Sequence, residues 1–375
     1  MNIAINNLHK LPNLTNFKIH DYVLELIKSG KVKYLFFSDW NKSNEYGVPT
    51  LDVLGGLFDQ YSFRDLGLDK AEIIFSPKTL NSQCDVLLDF NSTLDSEFCP
   101  AIRNFQGLKI YHLMDYFWLE PGSRKYRKLI DNDVDYLFSY SRTDKHCKYF
   151  QKYFPKYIGR VIPIPFGYSD RFVSTTAFTQ RKEKCVAVGS VNPLRPSDSL
   201  EYYYRETANF YRREKWLHKF RRMLVVNRHK LMNMDSMLPV FPKYKDFDYN
   251  IVKIFNQYQM FVSDETLFYF PTAKSYEGTA CGSVMVCSDH PCFTDFGFID
   301  GINCIKHKQY NVDDFNYKIN YYLKHQSKLN TIQKSSYNMI TNKYSHRKIA
   351  LKMYQIIKEV YSKQKNSYLD EKFWE

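Results

Sequence analysis

The 375-residue sequence has no window approaching the roughly 18 uninterrupted apolar residues that a membrane-crossing helix needs. Its start, MNIAINNLHKLPNL, lacks both a charged n-region and an apolar h-region, so the chain reads as cytoplasmic. It also lacks any long Pro/Gly/Ser tract. With 44% hydrophobic and 17% aromatic residues, a disordered chain is excluded. The eight cysteines (84, 99, 147, 185, 281, 287, 292 and 304) form no CxxC and no Cys–His set at zinc-ligand spacing. That pattern indicates neither a zinc site nor a disulfide framework and leaves buried free thiols as the expectation. Acidic residues are in deficit, 40 Asp+Glu against 53 Lys+Arg, for a net charge of +13. Such a balance favours polyanionic partners: nucleotides, nucleic acid or an anionic membrane face.

What is present is a two-part α/β pattern. The length predicts two domains. In the first half, short apolar runs predict strands at 2–6, 32–38, 71–76, 84–90, 108–114, 134–141 and 160–167, and NFKIHDYVLELIKSGK carries helical spacing that ends on Gly30. Continuous Val/Ile/Leu/Phe runs suit strands covered on both faces, as in a parallel sheet. The series restarts with KCVAVGSV (184–191), followed by MLVVN (223–227), YQMFVSD (258–264), SVMVCSD (283–289) and NCIKH (303–307). This predicts an N-terminal doubly wound domain over 1–167, a polar hinge over 168–183 and a second doubly wound domain over 184–340. A closing helical segment over 341–375 follows, within a long helical pattern running from about Ser335 to Lys363. No internal repeat of 20–50 residues is visible.

Two strand-to-helix turns in the second half fit the place where open α/β sheets bind ligands. After VAVGS, Gly189 and Ser190 allow close approach to the main chain, and Arg195 offers a forked cationic donor; a glycine after a strand is equally the mark of an ordinary turn. In KSYEGTACGSVMVCSD (274–289), a helix starting near Ser275 after a strand TLFYF would aim backbone N–H groups and its positive end at an anion. Glu277 in the same first turn could accept bonds from two vicinal hydroxyls, or could be a helix-starting Glu with no ligand.

KSYEGTACGSVMVCSD resembles the donor-site segment of GT-B-fold glycosyltransferases, in particular the group-1 and spore-coat-like families, in which a Glu leads an E-x-x-A-C-G-x-x-V run into a strand. Glu277, Ala280, Cys281, Gly282 and Val286 or its neighbours occupy those places. CVAVGSVNPLR and RVIPIPFGYSDRF resemble the first strand of the C-terminal domain and the strand leading to the interdomain linker. The resemblance implies two Rossmann-like domains facing each other across a cleft, with the first binding the acceptor. It implies a nucleotide-sugar donor held by Gly189, Ser190, Arg195, Lys274, Ser275, Tyr276, Glu277, Gly278 and Thr279, Glu277 taking the ribose. Retaining members commonly carry an earlier Glu eight positions before this one, where this chain has Tyr269. Lys274 then stands as the alternative source of the phosphate or leaving-group charge, or as a solvated lysine at a helix start.

Families of this fold often place a histidine at the strand end matched here by KIYHLMDYFW, which offers His112 and Asp115 as catalytic candidates: an imidazole facing the sugar, and a carboxylate to orient it or take the acceptor's proton. A histidine packed among aromatics is the plain alternative. Residues 204–230 carry Arg205, Arg212, Lys215, Lys219 and Arg222 interleaved with Tyr211, Trp216 and Phe220, a band suited to an anionic membrane surface, an acidic glycan or RNA, or to solvent alone. No Asp-x-Asp pair follows a strand, so metal independence is expected, and no cofactor beyond the nucleotide-sugar substrate. The expected activity is sugar transfer to a glycan or lipid-linked acceptor in surface polysaccharide synthesis, with the protein cytoplasmic or peripheral on the inner membrane face and with no nucleic-acid partner. The alternatives are a basic nucleic-acid-binding protein and an inactive glycan-binding relative.

Overall fold

A computed structural model describes residues 1–6, 19–36, 67–90, 100–113, 129–191, 210–211, 214, 216–239, 250–363, 368–369 and 373–374. The chain forms two compact units, one comprising 1–139, 153–164 and 346–371, the other 140–152, 165–345 and 372–375.

The first unit is built on a seven-stranded parallel sheet of β1 (Ile3–Asn6), β2 (Tyr34–Phe36), β3 (Glu72–Ile74), β4 (Val86–Asp89), β5 (Leu108–His112), β6 (Tyr136–Ser139) and β7 (Val161–Pro163), in the order β3-β2-β1-β4-β5-β6-β7. β1, β4, β5 and β6 are buried along their whole length, as continuous apolar runs require. α1 (Ile19–Lys28) buries Tyr22, Val23, Leu26 and Ile27 on one face, and stops where Gly30 turns left-handed (φ +66°) and donates to the Ile27 carbonyl at 2.8 Å. α2 (Pro77–Gln83) is capped by Ser76 with Pro77 at its first position, and α3 (Pro100–Arg103) precedes β5.

The second unit carries α4 (Thr143–His146), most of α5 (Lys148–Tyr153), and a five-stranded parallel sheet. Its strands are β8 (Lys182–Val188), β9 (Met234–Met237), β10 (Tyr258–Val262), β11 (Val284–Ser288) and β12 (Ile305–His307), ordered β12-β11-β10-β8-β9. α6 (Lys219–Val226) leads into β9, α7 (Ile251–Gln257) into β10 and α8 (Ala273–Ala280) into β11; α9 (Val312–Lys324) and α10 (Gln326–Lys343) follow β12. Phe220, Leu224, Phe315 and Ile319 from α6 and α9 pack over Cys185, Ala187, Met260, Val262, Val284, Val286 and Ile305 of the sheet. The last helix, α11 (His346–Ser362), returns to the first unit and packs on α1, with His346 edge-on to Tyr22 at 6.2 Å. Both sheets are doubly wound, as expected from the sequence.

Several local expectations are corrected. MLVVN lies not in a strand but in the second half of α6, where alternation with Lys and Arg gives one apolar face. TLFYF is irregular: Tyr269 adopts φ +59°, which no strand residue does. The stretch from Ser335 to Lys363 is two helices, broken at Tyr344–Ser345, where Tyr168 donates to the Tyr344 carbonyl at 3.2 Å. β9, with the sequence MDSM, carries no apolar run and stands at the edge of its sheet.

Within 168–183, the buried Arg181 guanidinium donates to the carbonyls of Thr176 (2.8 Å), Phe255 (3.2 Å) and Cys281 (2.7 Å) and to Ser174 Oγ (3.0 Å). The seven described cysteines are buried and form no disulfide with one another; Cys99 lies outside the described residues. No helix among the described residues is long and apolar enough to cross a membrane.

Candidate functional site

In the second sheet the chain runs from β8 to β9 on one side and then to β10 on the other, so the order reverses between β8 and β10. Ligands of open α/β sheets bind outside the carboxyl ends of the strands at such a reversal. The residues leaving those two ends are Gly189–Ser190 after β8 and Ser263–Asp264 after β10.

Gly189 has φ +120°, a conformation that residues with a side chain rarely adopt. Two cations lie over it: a Cβ at this position would come within 2.9 Å of Arg221 Nη1 and 3.1 Å of Lys274 Nζ. Arg221 arrives from α6, where it is buried and donates from Nη1 to the Ser190 carbonyl at 3.2 Å. Lys274 occupies the second position of α8, in a first turn with no side-chain cap. The N-cap residue Thr272 uses its hydroxyl otherwise: Ser263 Oγ is 2.9 Å from Thr272 Oγ1 and 2.8 Å from Ser275 Oγ, fastening the end of β10 to the start of α8. Arg221, Lys274 and the positive end of α8 thus make an anion site at the reversal.

Two further polar groups face the same cations. Asp264 is 1% exposed, and its Oδ1 lies 3.8 Å from Arg221 Nε. Burial raises its pKa against the opposing pull of Arg221 and Lys274. His218, at the N-cap of α6, is buried, and desolvation with the nearby Arg221 and Lys274 charges holds its pKa well below the usual imidazole value. A bond from the Leu267 amide to the Leu217 carbonyl (3.0 Å) ties together the segments that carry them. Next to Asp264, Glu265 accepts from Ser288 Oγ (2.5 Å) and Gln309 Nε2 (2.7 Å); burial pushes its pKa up to about 7.

The structure therefore brings together Gly189, Ser190, Lys274 and Ser275 of the expected donor residues. Arg195 lies outside the described residues, and Arg221 supplies the guanidinium over Gly189. α8 begins at Ala273 rather than near Ser275, so Glu277 sits in its second turn, fully buried, three residues after Lys274 and on the same side. Tyr276 packs into the core against Phe296, Phe298 and Tyr344; Gly278 admits the Phe261 ring against the helix; and Thr279 donates to the Ser275 carbonyl. Tyr269 stacks on His290 at 4.3 Å, and its carbonyl accepts from Ser141 Oγ at 2.8 Å.

In the first unit, His112 ends β5, 1% exposed, its ring 5.7 Å from that of Phe90. Asp115 lies outside the described residues. At that sheet's own reversal, between β1 and β4, Asn6 Nδ2 donates to Asp89 Oδ2 at 2.8 Å. Of the expected basic band, Arg205, Arg212 and Lys215 lie outside the described residues; Lys219 pairs with Glu214 and covers the Tyr310 ring, Arg222 covers Trp216, and Phe220 is core.

Arg221, Asp264 and His218 were not singled out from the sequence. Arg221 stands among five other Lys/Arg between positions 212 and 222, and nothing local distinguishes it. The usable signal for Asp264 was its place immediately beyond a buried strand.

Residues 212–355 match the family described as glycosyl transferase-like. No curated protein matches the chain. Among solved structures, Anabaena HepE in complex with UDP and glucose superposes with a TM-score of 0.52 at 9% identity, covering 96% of this chain and 100% of that one. HepE in complex with UDP gives 0.50 at 10% identity, over 96% and 99%. At such identities the likeness speaks for the fold.

Proposed function

We propose that the protein moves a sugar from a nucleotide-sugar donor to a glycan or glycolipid acceptor, and that the Gly189 turn with Arg221, Lys274 and the start of α8 holds the donor's diphosphate. The observation that carries this reading is the convergence of two cations from different helices over a left-handed glycine at the sheet's reversal. Breaking the bond between the sugar's anomeric carbon and the diphosphate oxygen leaves negative charge on the departing phosphate. Fixed cations and a helix N-terminus stabilise that charge as it develops, and they do so without a metal.

Glu277, three residues on from Lys274, is assigned to the ribose hydroxyls, Ser190 to the loop after β8 and Ser275 to the first turn of α8 at the diphosphate. His112 and Asp115 are assigned to the acceptor step: the acceptor hydroxyl must lose a proton, and these are the groups proposed to position it or take it. The HepE structure, whose complex contains UDP and glucose, supports a uridine donor as the first to try. A surface polysaccharide as final product, and residence on the inner face of the membrane, belong to the same proposal. The basic band is no longer a reason to prefer nucleic acid, because its described members are engaged with Glu214, Tyr310 and Trp216.

The test is release of labelled sugar from UDP-, GDP-, ADP- and CMP-sugars in the presence of EDTA, with wild-type protein, Lys274→Ala and Glu277→Ala. Turnover that survives EDTA and falls about a hundredfold in Lys274→Ala is expected for the loss of one charged donor from the leaving group. Turnover unchanged in both variants, or no turnover of any donor, overturns the reading.

A further inference from the structure

No other described residue donates a hydrogen bond to either carboxylate oxygen of Asp264, whose own backbone amide is the one donor beside it, although the side chain is 99% buried; Nδ1 of His218, 91% buried, has no partner either. The nearest cation, Arg221 Nε at 3.8 Å, balances the Asp264 charge but is too far to satisfy its lone pairs. Buried acceptors left in this state are costly unless something donates to them. Both groups face Arg221 and Lys274, and both segments are joined through the Leu217–Leu267 bond, so the unfilled acceptors and the anion site form one place.

We propose that Asp264 and His218 form a hydroxyl-binding subsite of the donor pocket, which recognises sugar hydroxyls carried on the same molecule as the diphosphate. The inference rests on the donor-site reading above. A bare phosphate or diphosphate would satisfy Arg221 and Lys274 but would be repelled by the Asp264 carboxylate, which can accept and cannot donate when ionised. A polyhydroxylated group next to the phosphate answers both demands: its oxygens take the cations and its O–H groups donate to Asp264. His218, held neutral by its surroundings, has one ring nitrogen to accept a further hydroxyl. The pairing therefore discriminates between diphosphates that bear a sugar and those that do not. The hydroxyls can come from the nucleotide's ribose or from the sugar being transferred.

Calorimetric titration of the full chain with inorganic pyrophosphate, UDP, 2′,3′-dideoxy-UDP and UDP-glucose tests this, using wild type, Asp264→Asn and His218→Gln. The wild type is expected to bind a sugar-bearing ligand more tightly than pyrophosphate. Removing the negative charge beside Arg221 should leave pyrophosphate binding in Asp264→Asn unchanged or tighter. The preference for the sugar-bearing ligand over pyrophosphate should fall about tenfold or more, as for a hydrogen bond to a charged group. A loss that appears already with UDP, and is absent with the dideoxy analogue, assigns the hydroxyls to the ribose; a loss seen only with UDP-glucose assigns them to the transferred sugar. Either supports the subsite. Equal weakening of pyrophosphate and sugar-bearing ligands would make Asp264 a mere prop for Arg221 and overturn the inference, as would an unchanged preference. Should Asp264→Asn fail to fold by circular dichroism, the His218→Gln preference decides on the same terms. A wild type that binds pyrophosphate but no nucleotide overturns the inference and leaves the anion site, whereas one that binds none of the four ligands removes the donor-site reading as well.

Discussion

Replacing Gly189 with alanine acts on the backbone and on the anion site at once. At φ +120° an alanine is strained by about 1–3 kcal/mol, and the smaller conformational freedom of alanine in the unfolded chain returns only about 0.4–1 kcal/mol. The new methyl would sit 2.9 Å from Arg221 Nη1 and 3.1 Å from Lys274 Nζ, so both cations must withdraw by a few tenths of an ångström. Arg221 has little room, being buried and bonded to the Ser190 carbonyl, whereas Lys274 is only partly buried. A net destabilisation of about 1–2 kcal/mol is expected in urea titration, with the m-value unchanged. Pyrophosphate affinity should fall about tenfold to a hundredfold, less than deletion of a charged donor because both cations are displaced rather than lost. Titration calorimetry on protein shown by circular dichroism to be folded separates the two effects. A Gly189→Ala protein that binds pyrophosphate as the wild type does would refute the placement of the anion over this turn.

Three other outcomes follow from the second unit. Gly278→Ala would put a methyl 2.6–2.8 Å from three carbons of the buried Phe261 ring; overpacking of about 1–3 kcal/mol exceeds the helix-propensity gain of about 1 kcal/mol, so a lower urea midpoint is expected. Arg181→Lys should destabilise by about 3 kcal/mol, because an ammonium cannot reproduce the fork that serves the carbonyls of Thr176, Phe255 and Cys281; an unfolding midpoint equal to wild type would count against that role. Glu265, with its folded pKa pushed up to about 7 by burial, holds its proton longer in the fold than in the unfolded chain, so its contribution is fully present below about pH 4.5 and is lost as pH rises through 7. The melting temperature of the wild type should therefore fall between pH 5 and 8 relative to Glu265→Gln, and parallel profiles for the two proteins would contradict the shift.

The sequence makes most of this architecture readable because buried parallel strands are continuous apolar runs, and β1, β4, β5, β6, β10 and β11 are of that kind. The same rule misassigns MLVVN, since a run of four apolar residues suits a helix turn packed on a sheet as well as a strand. It also passes over β9, where MDSM at the sheet edge has one face to cover and no apolar run to show. In the candidate site, Gly189 and Lys274 are legible through turn and helix-start chemistry. Arg221, Asp264 and His218 are not, because their importance comes from a reversal of strand order that brings three distant segments together. The break at Tyr344–Ser345 has no Gly or Pro to announce it.

The contact between Gly278 and Phe261 sets how deeply α8 beds on its sheet, and the helix is a rigid rod only eight residues long. Lys274 is one turn away from that contact, so side-chain bulk at 278 works like a shim under a short lever whose far end carries Lys274. The two positions are expected to tolerate exchange of volume only jointly, with Phe261→Leu restoring to Gly278→Ala both the seating of the helix and the reach of its lysine.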